Sequence, residues 1–154
     1  MTDANAGEQA FKRPESVLVL VYAREAQVLV LERRQPAGFL QSVTGSLEWG
    51  ESAPAAARRE LIEETGLEPR HPPVDCGLAH RFPIHPQWRG RFPPGTTENL
   101  EHVYCWQAPG TVTIRINPDE HCDWRWLAFD RALACLSSWT NRKALSEVLP
   151  MRLP

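Results

Sequence analysis

The stretch GSLEWGESAPAAARRELIEETGL, residues 45–67, decides how this chain is read. From Pro54 to Thr65 the pattern is helical: Ser52 can cap, Pro54 is tolerated in a first turn, and Gly66 supplies the stop. Successive helix residues turn by about 100°, so Glu60 and Glu64 lie nearly in line, with Glu63 flanking them. Leu61 falls on a different face, and the alanines at 55–57 allow close approach to a sheet. The acidic face is therefore expected to be presented, not buried. Like charges at this spacing repel by a few tenths of a kcal/mol per exposed pair. A divalent ion turns that repulsion into shared coordination, and hard carboxylate oxygens suit Mg2+ or Mn2+.

Outward from the helix, SVLVLVYA (16–23) and QVLVLERR (27–34) read as adjacent strands, a hairpin whose first strand is buried on both faces. LQSVTG reads as a short strand running into Gly45. Prolines between residues 68 and 94 argue against long regular elements; VDCGLAHRF reads as a strand and WRGRFPPG as a loop. EHVYCWQA (101–108), VTIRI (112–116) and DWRWLAF (123–129) are strand-like, and helices are predicted around Asp130–Leu136 and Asn141–Leu149. Strands with a helix between them and helices at the end imply an α/β sandwich around a mixed sheet.

The 154 residues fit one domain, residues 11–150, behind a flexible tail at 1–10. A net charge of -2 argues against a broad nucleic-acid or membrane surface, though not against a local basic pocket for a small anion. No apolar run approaches a membrane span, and MTDANAGEQAF lacks the apolar core of a secretory signal, so a cytoplasmic location is expected. Cys76, Cys105, Cys122 and Cys135 have no metal-like spacing and are expected to be reduced and mostly buried. No obligate protein partner is evident.

Gly45, five residues, Glu51, seven residues, and then Arg59-Glu60-Leu61-x-Glu63-Glu64-x-Gly66-Leu67 resembles the Nudix box at every specified position. A chance match of the charged and glycine positions is on the order of one in 10⁹ per starting point. The resemblance implies the Nudix fold, an α/β/α sandwich around a mixed β-sheet carrying a loop–helix–loop. It also implies metal-dependent hydrolysis of a diphosphate linkage. By matching position, Glu60 and Glu64 are the metal ligands, with Glu63 a third or an auxiliary one. Arg59 is expected to pair with Glu51.

FKRPESVLVLVYA, RR before Pro36 and Phe39, QSVTGS, PGTTENLEH, EH at 120–121 and SWTNRKAL resemble one branch of that family. This branch splits dihydroneopterin triphosphate in bacterial folate synthesis and also acts on dATP. The resemblance implies that Lys12 and Arg33 contact a triphosphate, that Thr44 donates a hydroxyl, and that Ser138 is another contact. Phe82, Pro83, Ile84 and His85 match a pocket segment. Glu120 completes the metal site or acts as general base; His121 beside it is read as a hydrogen-bonded residue and not as a metal ligand.

Phe39, Trp88 and Phe92 are candidates to stack on a flat pterin. Trp106, Trp124, Trp126 and Trp139 are assigned to the core or its margin, and Asn141 and Arg142 to organising the last helix. Leu40 stands where that branch carries Trp. The rival readings are a nucleotide-pool hydrolase acting on dATP or another nucleoside triphosphate, and a silent sensor of phosphorylated ligands. The sensor is disfavoured because no acid of the box is missing.

Overall fold

The computed structural model describes residues 10–152, so the expected N-terminal tail lies outside the described residues except for the exposed Ala10. Strands β1 (Glu15–Ala23) and β2 (Gln27–Arg33) form the predicted hairpin but pair only beside their turn, at Tyr22↔Val28 and Ala23↔Gln27. Beyond that point they splay. The LQSVTG segment fills the fork: β3 (Leu40–Gln41) pairs with β2, and β4 (Val43–Ser46) pairs with β1. On its other edge β1 runs parallel to β6 (Glu98–Gln107), which pairs antiparallel with β5 (Val74–Pro83). Strand β7 (His121–Ala128) closes the far side against β2, with the register slipping at Glu32/Arg33. One parallel pairing among antiparallel ones makes the sheet mixed.

Side chains alternate along a strand, and β1 uses both faces. Val17, Val19 and Val21 pack with Ala56, Ala57 and Leu61 of helix α1 (Ala53–Thr65). Leu18 and Leu20 pack on the opposite face with Ala132 of α2 (Phe129–Cys135) and with Ala144 and Leu145 of α3 (Trp139–Val148). The result is the expected α/β/α sandwich. Ser52 Oγ accepts the Ala55 N–H at 3.3 Å, and Gly66 ends α1 in the left-handed region at φ 69°.

Four expectations are corrected. VTIRI is not a strand: Ile114 is buried on the α1 side, while the Arg115 N–H donates to Thr65 O and Val112 O accepts the Trp126 indole. Its alternation is answered by packing over the helix end and β7, with no ladder. WRGRFPPG begins inside a 3₁₀ turn, Pro86–Arg91. Cys105 is buried, but Cys76 and Cys135 are half-buried and Cys122 is exposed. Trp139 is 52% exposed, because it opens α3 at the mouth of a cleft and not in the core.

Candidate active site

Where β1 and β2 separate, a cleft of about 1070 Å³ opens at the sheet. Glu60, Glu64 and Glu120 line it together with the cations Lys12 and Arg33. Thr44 and Ser138 also reach it, as does the segment Phe82–Pro83–Ile84–His85. Glu63 does not. Its side chain is 54% exposed and meets Arg59 Nη1 at 3.2 Å.

The acidic face of α1 is more withdrawn from water than expected: Glu60 and Glu64 are only 8% and 2% exposed. The cause is local. Gly45, in β4, leaves its side-chain space to the Glu60 carboxylate, and a Cβ there would collide with it. Gly45 therefore serves close approach, whereas Gly66 serves a turn. Burial pushes the Glu60 carboxyl up to about 7, against the pull of Arg59, with Glu63 and Glu120 adding repulsion. Burial also raises Glu64 well above the ordinary range, helped by Glu60 and opposed by the Thr44 N–H, which donates to Glu64 Oε2 at 3.1 Å.

Arg59 holds this arrangement. Its Nε and Nη2 fork onto Glu51 at 2.8 Å each, as expected, while Nη1 reaches Glu60 at 2.8 Å and Nη2 reaches Ser46 O at 3.1 Å. The guanidinium keeps Glu51 below the usual carboxylate range. One cation cannot neutralise the whole group.

Donor atoms of Glu64, Glu120 and His121 lie within 4.8 Å of one another. The slipped register at Arg33 brings Glu120 and His121 here, and the Arg34 N–H fastens the turn through Glu120 O at 2.9 Å. The expected hydrogen-bonded role of His121 is seen in Nε2, 3.2 Å from the Gln41 amide, while its buried Nδ1 has no partner. Burial, with Arg33 nearby, holds the ring down at about 4, so it is neutral near pH 7. The carboxylate oxygens of buried Glu64 and exposed Glu120 are donors that fit a hard divalent cation.

Facing them, Lys12 is depressed by burial and then by Arg91 and Arg33, a cationic group that suits an anion. Lys12 Nζ stands 6.0 Å from the Phe92 ring, and the Arg33 guanidinium 5.9 Å from Phe39. The Thr44 hydroxyl donates to Val17 O at 2.9 Å, and its N–H donates to Glu64 Oε2. Ser138 Oγ lies 2.8 Å from Thr140 Oγ1. His85 Nδ1 accepts the Gln87 N–H, and its ring stands 5.6 Å from Trp88.

The cleft also contains Gln41, Arg91, Asn99, Glu101, Trp139 and Asn141, none of which was singled out for binding. Asn99 and Glu101 were legible in principle: they are polar residues at alternate positions of β6, on the face that continues into Val103 and Cys105. Asn141 does more than organise α3. Its Oδ1 accepts the Ser42 N–H at 2.8 Å and its Nδ2 donates to Ser42 Oγ at 3.0 Å, pinning the residue between β3 and β4. Arg142 caps α2 through Leu136 O at 2.8 Å.

An acid-lined cleft at a forked mixed sheet, built around this loop–helix–loop, defines a Nudix hydrolase, and the NUDIX domain family matches residues 12–149: the chain belongs to that family. Nudix hydrolases generally use a divalent metal, which the donor set accommodates. Among relatives, the chain is 39% identical over 144 residues to the dihydroneopterin triphosphate diphosphatase of Escherichia coli K12, covering 91% of this chain and 95% of that one. It is 31% identical to the protein of the same name from Haemophilus influenzae, over 90% of this chain and 89% of the other. The solved structure of the E. coli dihydroneopterin triphosphate pyrophosphohydrolase superposes with a TM-score of 0.81 at 38% identity, covering 92% of this chain and 99% of its own. Among the described residues no helix is long and apolar enough to cross a membrane.

Proposed function

We propose that the chain hydrolyses dihydroneopterin triphosphate to dihydroneopterin monophosphate and pyrophosphate, with Mg2+ as cofactor and Mn2+ as a substitute. The supporting observation is likeness over nearly the whole chain to proteins named for that activity. Glu60, Glu64 and Glu120 would hold the cation, and Glu63 is auxiliary through Arg59. When bound, the ion offsets phosphate charge and makes a water more acidic.

The rest is done by the chain. Lys12 and Arg33, joined by Arg91, bind the outer phosphates and fix their orientation. Glu120 or a box glutamate accepts the proton of the attacking water as one P–O bridge breaks and pyrophosphate departs. Phe82–Pro83–Ile84–His85 and Ser138 bound the end of the cleft that takes the ring. The same reading carries a small-molecule substrate and a cytoplasmic location, in keeping with four free cysteines.

The test is product identification on a substrate panel with Mg2+ present. Pyrophosphate release from dihydroneopterin triphosphate, with kcat/KM above that for dATP, is expected, and Glu64→Gln should lower turnover by orders of magnitude while remaining folded. Orthophosphate release, or no reaction, overturns the assignment.

A further inference from the structure

Glu101 sits on β6, away from the acidic group of α1. It is 6% exposed, lines the cleft, and its Oε1 has no hydrogen-bond partner. A buried, unmatched carboxyl oxygen is costly, more so if charged, unless a ligand completes it. Burial raises the carboxyl to about 7, partly offset by the Thr140 hydroxyl. No Arg or Lys forms an ion pair with it among the described residues, unlike Glu51 or Glu15.

Its position relative to the phosphate end follows from the strand register. Ser16 of β1 pairs with Glu101 on one side and with Ser46, next to Gly45, on the other. Two strand spacings of about 4.8 Å put Glu101 roughly 10 Å from Ser46 at the backbone. The surroundings are right for a flat heterocycle: Phe82 and Trp139 line the same cleft, and Asn99, one step along this face of β6, is held by Ser16 Oγ at 2.8 Å.

We propose that Glu101 is the specificity-determining residue for the heterocycle, its carboxylate accepting two parallel hydrogen bonds from a ring N–H and the adjacent exocyclic amino group. The 2-amino-4-oxo pyrimidine edge of a pterin presents that donor pair, as does guanine. Adenine offers one donor beside one acceptor, which a carboxylate matches with only one bond. A ligand with the donor pair also favours the ionised form of Glu101, so binding and ionisation reinforce each other. The inference rests on the pterin reading above and names the residue that reads the ring.

Glu101→Gln tests it with little change of shape. A glutamine amide presents one acceptor and one donor, complementary to adenine and mismatched to the pterin edge. The ratio of kcat/KM for dihydroneopterin triphosphate to that for dATP should fall at least tenfold in the variant, chiefly through the pterin substrate. Equal losses on both substrates, or an unchanged ratio, overturn the proposal. Should the variant fail to fold, dGTP and dITP on the unaltered protein provide the second measurement. Loss of the 2-amino group should lower kcat/KM about tenfold or more, and equal rates overturn the assignment. If the unaltered protein releases no pyrophosphate from dihydroneopterin triphosphate, the pterin reading itself fails, which is a different result from a variant that keeps the wild-type ratio.

Discussion

A single absent methyl group decides the electrostatics of the acidic site. Because Gly45 has no Cβ, the Glu60 carboxylate moves in under β4 and loses its water. Gly45→Ala forces Glu60 or β4 to shift, and overpacking of this kind costs about 1–3 kcal/mol. The expected outcome is a Mg2+ affinity at least tenfold weaker, measured by titration calorimetry, with an unchanged far-UV spectrum. Wild-type affinity would mean that the glycine is there only for its backbone. The charged and glycine positions of the box were readable from spacing, and the resemblance they carry implied the Arg59–Glu51 pair. The burial of Glu60 and Glu64 was not, because helical periodicity says which residues share a face and nothing about what covers it. Glu101 was missed for a related reason: its meaning depends on which face of β6 borders the cleft, and that is set by strands far away in sequence.

At the level of elements, the cleft exists because β1 and β2 part company after two paired residues and a short strand wedges between them. Both strands, their hairpin turn and the wedge segment were readable as strand, yet the fork was not. Pairing partners depend on register, which local pattern leaves open. VTIRI shows the opposite failure, an alternating segment that finds its partners in a helix end and an indole and not in a ladder. The wedge itself is held by Asn141 through both ends of its amide. Asn141→Ala leaves the Ser42 N–H buried without an acceptor, a loss of about 1–3 kcal/mol. Urea unfolding should show a lower midpoint at unchanged slope. Because Gln41 and Thr44 flank that residue and touch His121 and Glu64, kcat should fall as well. A variant as stable as the parent would show that strand pairing alone holds the wedge.

Across the whole molecule, one sheet carries both apolar clusters, so α1 on one face and α2 with α3 on the other share β1 as their common wall. We propose that residues 11–150 are a single folding unit, which a single cooperative unfolding transition would support. That transition should depend on pH in a way that reports on the cleft. Glu60 and Glu101 are raised from 4.5 to about 7, and Glu64 is raised well above 4.5, so the folded chain retains protons that the unfolded chain has released. Their stabilisation is complete below 4.5 and is lost as pH climbs through about 7. His80 and His121, both lowered from 6.5, act in the opposite direction, but only below that value. From about pH 6.5 to about pH 8 the two histidines no longer oppose the raised carboxyls, and a group near 7 contributes roughly 1 kcal/mol, which is a few degrees in Tm. In chelator, Tm should therefore fall as pH rises across this window. Mg2+ should narrow or reverse the fall, because on the proposed assignment a cation at Glu60, Glu64 and Glu120 would replace the proton and bind only the folded chain. Thermal melts at both pH values, with and without millimolar Mg2+, measure this directly. A Tm indifferent to pH and metal alike would mean that these carboxyls are hydrated in solution and that the acidic end of the cleft has no appetite for a cation.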